Sequence, residues 1–303
     1  MNPSPLKALF YSLICALLFG SAFPAIKTVY AEWESHGLEI TLFSIWIFAG
    51  IRFMIAGTGL LLAAKQPFKE LKNTPWKLLV IFTLGQTTLQ YLCFYLGVYV
   101  SSGSLAALLA GSGSFWWMIL APMIVKSPWP SKLQWTAVIF GFTGVCLAVY
   151  SPGSGASNPI LGAILILAAT LFGSVGIIYF GKIKPTMGSK AGSGFALLFG
   201  GTSLFLMGSP AIAQLPQLMD TKIIMLVLWL AFVSAMGFAL WNHLSTIYPV
   251  SLLASYRFLI PLCGVLESLI ILKSESPGIG LLIGGPMILI SIYLAQKFQK
   301  RPA

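Results

Sequence analysis

Charge is what this sequence has least of. Asp, Glu, Lys and Arg make up 8% of its 303 residues, where a soluble domain carries about 25%. With 57% hydrophobic residues and a mean hydropathy of +0.90, that scarcity excludes an ordinary soluble domain and predicts a polytopic membrane protein. The net charge of +11 does not mark a nucleic-acid surface, because the basic residues fall in short loops between apolar runs. Histidine is confined to His36 and His243, with no HExxH and no Cys/His cluster, so no metal centre is expected. Cys15, Cys93, Cys146 and Cys263 lie inside apolar runs without paired spacing, which predicts buried, reduced thiols and neither disulfides nor ligands. No Gly-rich loop closes on Gly-Lys-Ser/Thr, which removes that type of ATP site and leaves no cofactor to expect. No loop is long enough to hold a soluble catalytic domain. The first apolar run, 6–30, is too long for a signal-peptide core and lacks a small-x-small cleavage site, so it is expected to stay as a span.

Ten apolar segments remain, at 6–30, 43–64, 76–99, 104–125, 133–151, 160–180, 193–212, 223–242, 251–272 and 278–296. Each is expected to be a helix, because lipid offers no partner to an unpaired backbone group. The seventh, rich in Gly and Ser, and the ninth, with Arg257, Pro261 and Glu267, are the weakest. Loop charge then sets orientation. Lys7, the lysines at 65, 69, 72, 77, 126, 132, 182, 184, 190, 297 and 300, and Arg301 fall on one side, 13 of the 18 basic residues. Lys27, Lys222 and Lys273 fall on the other, with Glu32, Glu34, Glu39, Asp220 and Glu275. The positive-inside bias places both termini in the cytoplasm and the protein in the cytoplasmic membrane. Arg52, Arg257 and Glu267 are left within the bilayer.

The uncharged turn-former stretch SPGSGASNP, 151–159, divides the chain into two halves of five spans, 1–151 and 158–303. An odd number per half forces opposite orientations. Two internal matches fit a repeat. Ala16-Leu-Leu-Phe-Gly-Ser21 recurs as Ala169-Thr-Leu-Phe-Gly-Ser174, and Ser104-Leu-Ala-Ala107 as Ser251-Leu-Leu-Ala254, at offsets 169−16 = 153 and 251−104 = 147. The fold expected is an all-α integral membrane protein of ten transmembrane helices arranged as two inverted five-helix repeats.

The stretch SSGSLAALLAGSGSFWWMILAPMIV, 101–125, sets small residues beside Phe115, Trp116 and Trp117. Small polar residues next to large flat ones suit a cavity wall, while a tightly packed helix with Trp filling a gap is the alternative for any one of them. In the third span Gln86, Gln90 and Phe94 recur at i, i+4, i+8 and share a face. Their amides need partners, from a polar substrate or from a neighbouring helix. Ser234, Phe238, Trp241 and Asn242 form a similar mixed face in the eighth span, and Phe94 and Trp241 correspond under the offset of 147. A charge at the position of Arg52 costs roughly 2.5–3.5 kcal/mol on insertion scales and must face the bundle or water. It reads as a partner for a substrate carboxylate or as a structural arginine bonded to carbonyls. Arg257 and Glu267 share one span but stand about 15 Å apart along its axis, too far for a direct pair. Glu267 is the first candidate for proton coupling, or else holds a structural hydrogen bond. The candidate binding set is therefore Gln86, Gln90, Phe94, Ser112, Trp116, Trp117, Trp241, Asn242, Tyr256 and Arg257, with Arg52 and Glu267 as coupling or bundle-polar candidates. Gly280 and Gly284 form a GxxxG, read as close helix packing before a dimer interface.

Several of these residues carry a resemblance. Phe19-Gly20-Ser21-Ala22-Phe23 with Lys27, Arg52-Phe53, the 251–254 motif, Pro261 and Glu275 resemble the drug/metabolite transporter superfamily, in its ten-span EamA branch, over nearly the whole chain. The chain departs from that pattern at Phe19, where Trp is usual, at Ser114 in place of a proline, and in a first span without an acid. The resemblance implies inverted repeats around a central cavity and export of small metabolites such as amino acids. The leading expectation is thus a secondary transporter, not an enzyme, exporting small metabolites, amino acids foremost, by alternating access. Its partners would be a small-molecule substrate and the lipid bilayer, with no nucleic acid, as a monomer or weak homodimer. Uptake or exchange by the same fold, an integral-membrane enzyme and a non-transporting subunit are the alternatives. A mid-membrane void bordered by the polar residues named above would favour transport.

Overall fold

The computed structural model of the protein describes residues 5–248, 253 and 256–297, and they are helical nearly throughout. The long helices are α1 (Pro5–Ser35) and α2 (Leu42–Leu62), then, after the short α3 (Pro67–Asn73), α4 (Trp76–Val100) and α5 (Gly103–Val125). Beyond them come α6 (Lys132–Tyr150), α7 (Pro159–Ile183), α8 (Ser189–Met207) and α9 (Thr221–Ile247). α10 (Leu259–Ile271) and α11 (Ile279–Lys297) complete the chain. Among the described residues, seven helices are long and apolar enough to cross a membrane, or eight if α8 and the Ser209–Leu218 segment, bent from it by 79°, form one span. α10 and α11 are apolar but shorter. The protein is a multi-pass membrane protein.

Helix ends differ from the hydropathy boundaries where packing outlasts the lipid. α1 continues five residues past 30 because Trp33 is fully buried against Phe48 and donates its indole N–H to the Leu218 carbonyl at 3.0 Å. α8 begins four residues before 193 and stops at Met207, where Gly208 lies against the Ile47 backbone and Pro210 has no N–H to continue the ladder. The 251–254 motif lies outside the described residues except for Leu253, as do Lys300 and Arg301.

Glycine sets the closest approaches. α2 packs on α8 through Gly50 and Gly57 on one side and Gly194 and Gly201 on the other. A Cβ at Gly57 would fall 2.5 Å from the Leu198 nitrogen and 2.7 Å from the Gly194 carbonyl. α6 packs on α11 in the same manner, with Gly144 and Gly284 in backbone contact. The GxxxG of α11 is therefore used inside the protomer, where van der Waals contact between backbones drives association in lipid. Elsewhere α1 meets α9 and α10, while α7 meets α4 and α5.

At the end of the molecule where α1 finishes, polar contacts fasten the bundle. Glu275, only 8% exposed, accepts from the Gly103 N–H (2.6 Å), the Ser104 N–H (3.1 Å) and the Ser104 hydroxyl (2.9 Å). A carboxylate there caps α5 and meets the positive end of its dipole. Lys27 donates to the Ser101 carbonyl at 2.8 Å beside it. The 151–158 linker is laced to the loop before α11 by Ser154 N–H to Ser276 O and Gly278 N–H to Pro152 O, with Gly153 at φ +95° making the turn. His36, isolated in sequence, sits between Glu32 and Asp220, and Lys222 pairs with Glu32, which ties the end of α1 to the start of α9.

Candidate functional site

Three backbone irregularities converge on one hollow. In α4 the residues Leu84–Thr88 form a π-helical turn, a feature that concentrates at functional sites. It stands where Gly85 and Gly176 bring α4 against α7, a Cβ on Gly176 falling 2.5 Å from the Gln86 nitrogen. α5 is interrupted by a turn at Gly111 and Ser112. α7 fastens this break, where the Ser174 hydroxyl donates to the Gly113 carbonyl (2.9 Å) and Thr170 bonds the Ser112 hydroxyl (2.9 Å). A further turn at Arg257 and Phe258 precedes α10. Irregular backbone within a membrane is tolerated where protein or a cavity surrounds it. Here it borders a cavity of about 160 Å³, counted as space open to the centre of a water molecule, room for on the order of ten waters.

The cavity lies near the midpoints of α2, α4, α7 and α9 and has a polar and an aromatic side. Arg52, 2% exposed, donates one N–H to the Ser234 hydroxyl at 2.6 Å. Its guanidinium lies 4.4 Å over the Phe53 ring and 5.5 Å from that of Tyr95, while its Nε and second terminal nitrogen are buried without a partner. The Gln86 amide nitrogen is likewise buried and unpaired. Gln90 fits only because residue 173 is glycine, since a Cβ there would fall 2.5 Å from Gln90 Oε1. Arg257 lines the cavity beside Gly113, its terminal nitrogen 3.7 Å from where a Cβ on that glycine would stand. Asn242 donates to Ser193 at 2.7 Å. The aromatic side is built from Phe19 against Phe238 and Phe23 against Phe94, with Trp241 alongside. From Arg52 a run of edge-on and tilted rings, Tyr95, Phe48, Trp33 and Tyr30, fills the space toward the end of α1.

Of the residues singled out in the sequence, Gln86, Gln90, Phe94, Ser234, Phe238, Trp241, Asn242, Arg257 and Arg52 border this one cavity. The others do not. Ser112 is buried behind Gly113 in its bond to Thr170. Trp116 packs on Phe142 of α6, a turn along α5 from the cavity edge, and Trp117 is partly buried outside the lining. Tyr256 packs on the small cluster of Ala8, Cys15 and Leu244. Glu267 stands away from the lining with one carboxylate oxygen buried and unpaired. Sequence reasoning missed Tyr91, Ile177, Val233 and Ile260, and it used Phe19, Phe23, Thr170, Gly173 and Ser174 only as repeat or family marks. The repeated Phe-Gly-Ser triplet was the available signal, since its second copy delivers both Gly173 and Ser174 to the site.

No family model matches the chain. It is 27% identical to an uncharacterized transporter, YvbV, of Bacillus subtilis (strain 168), over 84% of this chain and 83% of that protein. It is 23% identical to a probable amino-acid metabolite efflux pump of Salmonella typhimurium (strain LT2), over 94% and 93%. A second uncharacterized transporter of Bacillus subtilis, YetK, is 22% identical over 84% and 80%. A crystal structure superposes with a TM-score of 0.63 at 14% identity, covering 96% of this chain and 97% of that one, a likeness of fold. The three relatives named are transporters and not enzymes.

Proposed function

We propose that the protein is a secondary transporter of the EamA branch of the drug/metabolite transporters, exporting small metabolites, amino acids foremost, across the cytoplasmic membrane by alternating access. The observation that carries this is the mid-helix cavity, with buried donors that have no protein partner. A non-transporting subunit would fill that space and pair those groups, because leaving a buried polar atom unpaired costs about 1–3 kcal/mol. The similarity to transporters over most of the chain supports the same reading.

Two inverted five-helix repeats, 1–151 and 158–303, with both termini cytoplasmic, complete the proposal. Packing supports it: the partners α2 and α8, second in each half, face each other, as do α6 and α11, fifth in each half. So does the backbone. The α5 turn begins at Gly111 and the turn before α10 begins at Arg257, and 257−111 = 146 is within one residue of the 147 offset of the Ser-Leu repeat. In this reading the ring chain from Tyr95 to Tyr30 is the closed extracytoplasmic gate, and the GxxxG being used internally favours a monomer.

Counterflow in liposomes loaded with single amino acids tests the proposal, with flux of at least one expected above protein-free vesicles. Absence of flux for all of them, in protein with a cooperative melting transition, would sink it. Within the same assay, Gly173→Ala is expected to raise the half-saturating substrate concentration about tenfold, the loss of one hydrogen bond to a charged or strongly polar group. The melting temperature should move by less than about 2 °C, because the added methyl meets the mobile end of Gln90 and not backbone.

A further inference from the structure

The charges around the cavity are of one sign. Arg52 and Arg257 line it, and the chain has only seven carboxylates to set against them. Each is placed elsewhere. Glu32 and Glu34 lie in the last turn of α1, Glu39 follows in the loop to α2, and Asp220 caps α9. Glu70, on α3, accepts from the Gly188 N–H at 2.8 Å. Glu275 is committed to the start of α5, and Glu267 is off the lining. Among the residues lining the cavity, the buried polar atoms without a partner are donors as well: two nitrogens of Arg52 and the amide nitrogen of Gln86. The Arg257 guanidinium forms no hydrogen bond or ion pair among the described residues, its carbonyl alone accepting from the Ile260 N–H. Two broken helices add to this potential, since α10 and the second segment of α5 both begin at the cavity with Ile260 and Gly113. The positive end of a helix dipole favours an anion.

We propose, resting on the transporter reading above, that the cavity prefers organic anions, metabolites with a carboxylate on an apolar or aromatic body and no free ammonium group, to the parent amino acids, which it accepts about tenfold more weakly. The carboxylate takes the guanidinium of Arg257, and the body lies along Phe94, Phe238 and Trp241. A zwitterion brings a third cation into a space where two guanidinium groups already stand without a counter-charge. Neutral carbonyls such as that of Gln90 accept its hydrogen bonds but do not offset its charge, and at low local dielectric like charges repel strongly. N-acylated or deaminated amino acids therefore fit better than the parent amino acids.

The test uses four probes of one size and differing charge on the unaltered full-length protein in detergent: N-acetyl-L-phenylalanine, 3-phenylpropanoate, L-phenylalanine and 2-phenylethylamine. The two anions are expected to raise the melting temperature at concentrations about tenfold below those needed for L-phenylalanine, and the amine to leave it unchanged. Arg257→Gln should erase the response to the anions and Arg257→Lys should keep part of it. L-phenylalanine matching the anions, a shift with the amine, or no shift with any probe overturns the inference. An Arg257→Gln protein that melts cooperatively and still answers the anions overturns it too. Counterflow of the same probes separates this from the transporter reading. Anions that bind without crossing the membrane sink transport and leave the charge selection standing, whereas equal flux of all four does the reverse.

Discussion

Gly57→Leu is expected to abolish the folded protein, while Gly59→Leu, two residues along the same helix, leaves it intact. Both are mid-helix glycines whose replacement improves intrinsic helix propensity by up to about 1 kcal/mol. Only the surroundings differ. A Cβ on Gly57 falls within 2.5–2.9 Å of Leu198 and Gly194 backbone atoms, which cannot rotate aside, whereas nothing lies within 4 Å of one on Gly59. Overpacking costs about 1–3 kcal/mol when side chains absorb it and more when two helices must separate. A fall of at least ~5 °C in melting temperature, or loss of the monodisperse peak in detergent, is the outcome for Gly57→Leu. Gly59→Leu should melt within ~2 °C of the parent. Equal behaviour of the two variants would mean that the α2–α8 seam does not hold the bundle together. The stake extends past stability, because α2 also carries Arg52 into the cavity.

That seam shows how the sequence encodes more than a hydropathy profile reads. Gly50 and Gly57 are seven residues apart, and so are Gly194, Gly201 and Gly208, a spacing that keeps small residues on one face over successive pairs of turns. The pattern is visible in the chain, but which glycine stripe meets which is decided by tertiary packing. The polar stripe of Gln86, Gln90 and Phe94 was legible, because amides recurring every four residues in an apolar helix imply a shared face. The π-helical turn beneath it was not, since it stands where Gly85 meets Gly176, 176−85 = 91 positions away in the chain. The Gly-Ser-Trp stretch misled in its second half for a geometric reason. Gly113 opens onto the cavity, but Trp116 is carried a turn along α5, where Phe142 meets it. Glu275 and Lys27 read as loop charges, yet a lone carboxylate near the end of an apolar span finds its best partners in the free N–H groups of a neighbouring helix start.

Arg52→Met is expected to stabilise the empty protein and disable it. In the resting structure the guanidinium has a single hydrogen bond, to Ser234, and two of its nitrogens are buried without partners. No carboxylate repays its desolvation, and the rings of Phe53, Tyr91 and Tyr95 supply only cation–π attraction. Replacing a buried, poorly paired charge by an apolar side chain of similar volume is neutral or stabilising by about 1–4 kcal/mol, and a methionine sulfur packs well against aromatic edges. Ser234, relieved of its partner, can bond a carbonyl of its own helix. The melting temperature without substrate should therefore rise by ~2–5 °C, while flux falls about tenfold or more. Arg52→Lys, which keeps the charge but loses the planar fork, should transport at an intermediate rate without the rise in stability. A structural arginine predicts the opposite pattern, with Arg52→Met melting several degrees below the parent and its residual flux tracking the fraction folded. The sign of the melting shift decides between them, because a group retained against its own stability cost at the edge of a cavity is retained for what enters that cavity.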